Sequence, residues 1–585
     1  MSSKAVPNAE LLARLGDEPG YSVPAHPAPI DVYLASNEGR PAANLSAPER
    51  WLPAAHELAR YPDHSQLTRA LAEKLGVREA ELLVTAGADD ALFRACTRAL
   101  GPGREAVVPS PTFEMISRYV ELAHGTLVEI DWTESGFPLA ETVAAINENT
   151  GLLVVVSPNN PTGQIISAEE LLELSRAAKN ALFILDLAYN EFAEADLTEL
   201  ALTLDNVVIL RTLSKAWGLA GLRVGYAVGP QALIRALASA GNPYPVSRLS
   251  LALAEARFRD DRDDMDDYVA AARRERVELA ATCQSLGLRA LESHANFVFA
   301  RSERSVWIRD ALAGLGIGIR IFPGRARLED ALRITCPGEQ RAFSRVTFAL
   351  QTALQPQAIL WDMDGVLADV SRSFRRAIHE TAKSYGVELP ANAIDRAKAE
   401  GGANDDWELT QRLLEAEGVR AELNEVTERF EQRYQGTPET PGLYREERVL
   451  PSRESLEQLA GRLPMAIVTG RPRSDAERFL ADHDLVELFP VVICREDAPL
   501  KPDPAPVTLA LEKLEVERAW MLGDTPDDVR AAKRAGVVPL GVLDFELTDE
   551  ADRREGAEFE AMSAALLGAG AARVITRMSE LEELL

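Results

Sequence analysis

The chain reads as an α/β protein made of two successive parallel-sheet units, and three observations predict this. Short continuous apolar runs alternate with helical stretches along its whole length. Each run closes on a polar residue able to do chemistry. A breaker near residue 355 divides two such series. The runs are LLVVVS (152–157), ALFILD (181–186) and VVILRT (207–212) before the breaker, and AILWD (358–362), MAIVTG (465–470) and AWMLGD (519–524) after it. Strands that are apolar on both faces, with helices between them, belong to parallel sheets covered on both sides. Ligands of such sheets sit beyond the carboxyl ends of the strands. The polar residue ending each run is therefore a candidate site residue.

The division rests on local pattern. RVTFALQTALQ (345–355) has the spacing of an amphipathic helix, and PQAILWDMDG (356–365) that of a buried strand running into a carboxylate-bearing loop. Pro356 is the breaker between them, which predicts units of 1–355 and 356–585. Of the 585 residues, 46% are apolar and 26% charged, so the chain is globular rather than disordered. Lys and Arg number 63 against 91 Asp and Glu, a net charge of −28 that argues against nucleic-acid or membrane binding. Cys96, Cys283, Cys336 and Cys494 show neither a disulfide framework nor paired metal spacing, which fits a reducing cytoplasm. MSSKAVPNAELLARLG (1–16) lacks the apolar core of a secretory signal. AMSAALLGAGAARV (561–574) is too short and too rich in Ala and Gly to span a bilayer.

In the first series, LLVVVS leads into PNNPTG with Asn160, and ALFILD closes on Asp186, with Tyr189 three residues on. VVILRTLSK carries Thr212, Ser214 and Lys215, and AWGLAGLRVGY carries Arg223. VTAGADDAL puts Gly87, Ala88 and Asp89 at a strand-to-helix turn, where free N–H groups and the helix dipole receive a phosphate. Schiff-base catalysis on pyridoxal phosphate needs this set. A lysine joins the aldehyde and later moves the proton of the substrate's α-carbon. A carboxylate pairs with the pyridine nitrogen. Asn160 and Tyr189 suit the ring's phenolic oxygen; Thr212, Ser214 and Arg223 complete the phosphate cup. NPTG alone is an ordinary turn and a lone lysine an ordinary solvated residue. The weight lies in four segments, in order, each ending an apolar run.

SPNNPTG, DLAYNEF and RTLSKAWGLAGLRVGY resemble the fold-type-I, class I/II aminotransferases and, more narrowly, the histidinol-phosphate aminotransferases, over about residues 20–354. YLASNEG with Asn37, RYPD with Tyr61, PTFEM with Phe113 and SHANFVFA with Asn296 extend the resemblance. It implies a large domain of about 45–245 and a small domain formed by the N-terminal arm and about 246–354. It makes Lys215 the imine lysine and Asp186 the partner of the pyridine nitrogen, with Phe113 where the family usually stacks a tyrosine on the ring. Tyr61 then reaches the cofactor phosphate of a neighbouring subunit, implying a homodimer with shared sites. Asn37, Arg320 (GIGIRIF) and Arg333 (ALRIT) become substrate-binding residues, the arginines taking the carboxylate of glutamate in one half-reaction and a phosphate in the other. Tyr21 is placed near the substrate. The chain departs from the family at TCPGEQ (335–340), where Val-Gly-Thr is usual, and at Gly39, where proline is common.

In the second series, AILWDMDGVLAD sets Asp362 and Asp364 two apart just past a strand, a spacing that aims both carboxylates the same way. Thr469 (AIVTGR), Lys501 (APLKPDP) and Asp524 and Asp528 (WMLGDTPDD) follow. The set fits phosphoryl transfer to a carboxylate. One aspartate attacks phosphorus; the other protonates the leaving alcohol and then activates water. Lys501 and Thr469 offset charge on the transferring oxygens, and Mg²⁺ suits the all-oxygen site. These segments resemble the haloacid dehalogenase (HAD) superfamily, a Rossmann-like fold, over about 356–585. The resemblance makes Asp362 the nucleophile and Asp364 the acid/base. It gives Mg²⁺ to Asp362, the Asp364 carbonyl and Asp524, with Asp528 in support. An acid at 364 favours a phosphatase over a dehalogenase. Residues 371–450 are helical in pattern and stand where this superfamily inserts a helical cap. Within them GGANDDWELT (401–410) reads as a substrate-facing turn or, the commoner case for such a segment, as a solvated loop. The seven histidines are scattered and form no metal cluster.

Together the resemblances imply a bifunctional enzyme acting on small molecules: glutamate and a keto or amino phosphate ester. Transamination would make histidinol phosphate and the second half would hydrolyse it. Two alternatives stand beside this: another keto acid, aromatic or from natural-product chemistry, with an unrelated ester; or one half serving as a non-catalytic regulatory module.

Overall fold

The computed structural model describes residues 26–41, 51–260, 262–402, 404–546 and 556–585. The N-terminal segment read for a secretory signal and Tyr21 lie outside the described residues. Among the described residues the strands form sheets of seven, six and four strands and three two-stranded ribbons.

The seven-stranded sheet is built from β1 (Leu82–Thr85), β2 (Glu105–Ser110), β3 (Thr126–Asp131), β4 (Thr150–Val156), β5 (Leu182–Asp186), β6 (Val207–Thr212) and β7 (Gly225–Val228), in the order β1-β7-β6-β5-β4-β2-β3. Pairing is parallel from β6 through β3; β7 runs antiparallel to both neighbours. The continuous apolar runs are explained by covering on both faces. Leu153, Val155, Phe183, Leu185 and Ile209 enter one core, while Leu152, Val154, Val156, Ile184, Val208 and Leu210 enter another with Leu92 and Ala95 of helix α1 (Ala88–Ala99). Each such side chain contributes about 1.5–3 kcal/mol when fully buried.

The four-stranded antiparallel sheet comprises β8 (Arg289–Ala290), β9 (Phe297–Arg301), β10 (Arg320–Ile321) and β11 (Ala331–Thr335), in the order β10-β11-β9-β8. Its register sets Arg320 directly across from Arg333. Helices α2 (Ser305–Gly314) and α3 (Gln340–Leu354) pack against each other beside it.

The six-stranded sheet, β12 (Ala358–Trp361), β13 (Met465–Val468), β14 (Val491–Ile493), β15 (Ala519–Gly523), β16 (Val538–Val542) and β17 (Arg573–Ile575), is parallel throughout, in the order β14-β13-β12-β15-β16-β17. Between β12 and β13 the chain forms helices α4 (Phe374–Ser384), α5 (Ala393–Glu400), α6 (Asp406–Ala416) and α7 (Leu423–Tyr434). Helix α8 (Pro526–Arg534) follows β15. The apolar segment near the C-terminus becomes the helix Ala557–Ala569 and β17, and among the described residues no helix is long and apolar enough to cross a membrane.

Only Gln355, Pro356 and Gln357 separate α3 from β12. The two units share a core across this join. Trp307 of α2 meets Trp520 of β15 edge-on, ring centres 4.7 Å apart. Their indole N–H groups donate to the last turn of α3: Trp307 to the Ala353 carbonyl at 2.9 Å and Trp520 to that of Thr352 at 2.7 Å. Arg573 pairs with Asp310 at 2.8 Å, His26 bonds the Ala572 carbonyl at 2.9 Å, and Lys533 bonds that of Pro29 at 2.8 Å.

Candidate active sites

The carboxyl ends of β4, β5 and β6 and the start of α1 open on a cavity of about 520 Å³. Asp186, the last residue of β5, is buried on its wall. Burial pushes its carboxyl up to about 7, against the pull of the Ala188 N–H at 3.0 Å and of Lys215. Lys215 lies three residues past β6; its ammonium donates to the Ser36 carbonyl at 2.9 Å and stands 5.6 Å from the centre of the Tyr189 ring. The Thr212 hydroxyl donates to that of Ser214 at 2.9 Å. Gly87 caps α1 and Ala88 and Asp89 open it, at the rim of the same cavity. Arg223 bonds the Asp89 carboxylate at 3.0 Å, which places its guanidinium beside the first turn of α1. Phe113 lines the cavity.

Arg320 and Arg333 enter from the four-stranded sheet. Arg333 donates to the side-chain oxygen of Asn160 and, at 2.6 Å, to the Ala35 carbonyl. Arg320 stands 3.4 Å from Glu114, which also meets Arg325. Asn37 donates to the Tyr189 hydroxyl at 3.0 Å. Asn296 sits behind it, donating to the Asn37 carbonyl at 3.3 Å. The departures from the family have local causes. Thr335, first residue of TCPGEQ, receives the Asn37 N–H on its hydroxyl at 3.2 Å and so fixes that residue. A β-carbon on Gly39 would lie 1.8 Å from the Lys215 carbonyl oxygen, so a proline there requires the backbone to shift. Tyr61 lies outside the cavity, 80% exposed and stacked on Tyr244 at 4.5 Å. Glu114, Arg325 and Thr335 escaped the sequence reading. Glu114 stands beside Phe113 in a segment already singled out, and that was the available signal.

The donor set fits pyridoxal phosphate. Two hydroxyls at a helix N-terminus suit its phosphate, and the raised carboxyl of Asp186 would be relieved by a ring N–H. The volume is that of a pocket for a cofactor with a small substrate.

The second site lies at the carboxyl ends of β12, β13 and β15. Lys501 is buried between Asp362 and Asp528, 2.5 Å from each, and donates to the Val468 carbonyl at 3.0 Å. One oxygen from each of Asp362, Asp524 and Asp528 lies within 4.8 Å of the others. This oxygen trio suits a hard divalent cation. The carboxylate of Asp364 is not part of the trio; Arg471 holds it with Nε at 2.7 Å and Nη2 at 2.5 Å. Burial pushes the Asp362 carboxyl up, as do Asp528 and Asp524, while Lys501 pulls it down. Asp528 is anchored by the Thr525 hydroxyl at 2.6 Å at the start of α8. Thr469 is buried and its hydroxyl accepts the Arg471 N–H at 3.2 Å. Gly365 has φ 78°, and a β-carbon there would lie 2.6 Å from the Asp524 carboxylate, so this turn requires glycine.

Residues from α4 to α7 cover these groups and leave a cavity of about 50 Å³. Asn404, Asp406 and Trp407 line it, so these three residues of GGANDDWELT face the site where the solvated-loop reading had them in solvent. Two bases escaped the sequence reading. Arg471 follows two residues after Thr469 in TGR, a signal that was available; it also bonds Glu447 at 2.9 Å. Lys398 of α5 reaches Asp524 at 3.1 Å across 126 positions, and nothing local marks it.

The profile of the family "Aminotransferase class I and II" matches residues 29–344. The chain belongs to that family. Residues 359–542 match "Haloacid dehalogenase-like hydrolase". The chain is thus an enzyme in which an aminotransferase half precedes a HAD-like hydrolase half, and the first half has the fold-type-I architecture. The histidinol-phosphate aminotransferase of Paracoccus denitrificans is 32% identical over 327 residues, 54% of this chain and 88% of that protein. An imidazoleglycerol-phosphate dehydratase of Phytophthora nicotianae is 48% identical over 195 residues, 32% of this chain. The chain spans 43% of that dehydratase's length. The structure of the histidinol-phosphate aminotransferase from Sinorhizobium meliloti in complex with pyridoxal-5'-phosphate superposes with a TM-score of 0.50 at 26% identity, covering 55% of this chain and 90% of that one.

Proposed function

We propose that the first half transfers the amino group of glutamate to imidazole-acetol phosphate, giving histidinol phosphate, and that the second half hydrolyses histidinol phosphate to histidinol. The observation that carries the reading is the cross-strand pair Arg320 and Arg333 at the Lys215 cavity, in a chain that also bears a phosphoester site. Two guanidiniums suit a substrate anion that is a carboxylate in one half-reaction and a phosphate in the other. The names of the relatives point to the same pathway, histidine biosynthesis.

In the first half, pyridoxal phosphate supplies the electron sink that makes the substrate's α-hydrogen acidic. Asp186 would hold its ring nitrogen; Asn160 and Tyr189 its phenolic oxygen; Thr212, Ser214, Arg223 and the start of α1 its phosphate; Phe113 would cover the ring. Lys215 takes the proton from the α-carbon and returns it. Asn37, fixed by Thr335 and Asn296, orients Tyr189. Arg320 and Arg333 hold the substrate anion.

In the second half, Asp362 attacks phosphorus and Asp364, aimed by Arg471, protonates the leaving alcohol and then activates water. Lys501 and Thr469 offset negative charge. Asp362, Asp524, Asp528 and the Asp364 carbonyl would hold Mg²⁺, which neutralises the phosphate.

We infer a homodimer from Tyr61, whose exposed ring, with Leu58 and Tyr244, forms a surface suited to a second subunit. Four free, buried cysteines suit a reducing cytoplasm. The test is to incubate the protein with glutamate, imidazole-acetol phosphate and Mg²⁺. Phosphate release above that of a Lys215→Ala control is expected; release no greater than the control overturns the tandem assignment.

A further inference from the structure

The hydrolase cavity is a closely paired ionic site, and its pairing leaves one group over. Six acids line it. Asp362 is engaged by Lys501, Asp364 by Arg471 and Asp524 by Lys398. Glu431 accepts the Trp407 indole N–H at 3.0 Å and the Gln435 amide at 3.1 Å; Asp475 accepts Gln435 at 3.0 Å and Arg478 at 2.9 Å. The bases that line the cavity are taken as well, Arg375 by Asp395 at 2.6 Å and Arg495 by Asp405 at 2.7 Å. Among the described residues, the carboxylate of Asp406 alone of the six has neither a hydrogen bond nor an ion pair. It stands in the first turn of α6, whose cap is the neighbouring Asp405, so the helix dipole favours its charged form. Burial, with Asp364 nearby, opposes that, against the pull of Lys398 and Arg471. An incoming cation would resolve the conflict.

We propose that Asp406 is a specificity residue that binds a protonated amine on the alcohol portion of the phosphate ester. This rests on the phosphatase reading above and names the group that recognises the amine of such an ester. The phosphate goes to Asp362, Lys501 and the oxygen trio, and the apolar side chains of Val370, Phe374 and Ile378 in the same cavity take the carbon skeleton. The free carboxylate takes the ammonium. No base lining the cavity stands ready to receive a second anion, so an ester that carries a carboxylate besides its phosphate is disfavoured.

The test uses the full chain with Mg²⁺ at pH 7.5, where an imidazole is mostly neutral. The probes are histidinol phosphate, its analogue lacking the amine, and p-nitrophenyl phosphate as a control whose alcohol portion carries no charge. The wild type is expected to favour the amine-bearing ester over its analogue by at least about tenfold in kcat/KM, a difference of about 1.4 kcal/mol. Asp406→Asn is expected to erase that preference through KM, with p-nitrophenyl phosphate turned over within about threefold of wild type. Asp406→Glu, which keeps the charge, is expected to restore part of it. Turnover of all three esters with no preference for the amine, or a preference that survives in Asp406→Asn, overturns the subsite and leaves the phosphatase reading standing. Loss on all three probes in Asp406→Asn, matched by Asp406→Glu, makes the residue structural and also overturns it. No turnover of any ester by the wild type overturns the phosphatase reading itself, and the subsite with it.

Discussion

The two cavities of this chain arrange their charged groups in opposite ways. The aminotransferase cavity is roomy, about 520 Å³, and its central acid, Asp186, has no base in hydrogen-bonding contact. The hydrolase cavity is about 50 Å³, and three of its acids, Asp362, Asp524 and Asp364, are paired with Lys501, Lys398 and Arg471. The first keeps its polar groups apart, and the second holds most of its charged groups in ion pairs before any ligand arrives. The difference teaches where each half is fragile. Breaking a buried ion pair costs several kcal/mol, whereas an incomplete site loses function with less effect on the fold.

If that contrast holds, the two chemistries separate by mutation. Asp362→Asn removes the nucleophile and should lower phosphate release by at least about 10⁴-fold. Transamination, measured by 2-oxoglutarate formation, should stay within about twofold. Lys215→Ala should lower transamination by about 10³-fold or more while leaving hydrolysis of added ester intact. A loss of both activities from either change would break the comparison.

Stability sharpens it further. Arg471 is buried against Asp364 and Glu447, so Arg471→Met should cost about 3–5 kcal/mol in urea unfolding. Lys215, held by one carbonyl, should cost far less when truncated. Asp186 adds a pH signature to the cofactor-free protein. Its carboxyl rises from 3.8 to about 7 on folding, so the native state keeps a proton that the unfolded chain has released across that window. Stability from this group therefore falls as pH rises from about 4 to about 7, by a few kcal/mol at most. Asp186→Asn should gain stability relative to wild type at pH 8 compared with pH 5; an equal difference at both values would count against the buried, raised carboxyl. The smallest effect is expected at the join: Trp520→Phe loses one indole hydrogen bond to Thr352, about 1 kcal/mol, and neither activity.

Much of each site was legible because it hangs on strand ends. Asp186, Lys215, Asp362 and Asp524 each close or follow an apolar run, and the parallel sheet gathers such ends at one edge. What could not be read was whatever arrives from elsewhere. Lys398 comes from the cap helices, and the partners of two residues in segments already singled out lie far along the chain: Thr335 meets Asn37, and Glu114 meets Arg320 across 206 positions. The facing of GGANDDWELT belongs to the same class, since a polar segment looks alike whether it meets solvent or substrate. The cross-strand pair of Arg320 and Arg333 depended on register, which is set by burial along whole strands and not by the short motifs themselves.

The Trp307–Trp520 contact has a practical consequence for anyone wishing to study either activity alone. Separating the halves between α3 and β12 would unclothe two indoles that are now almost wholly hidden, and would break the bond from Trp520 to the Thr352 carbonyl. Each fragment would carry a greasy, hydrogen-bond-hungry scar and tend to clump. Silencing one half by a point change is therefore the cleaner dissection.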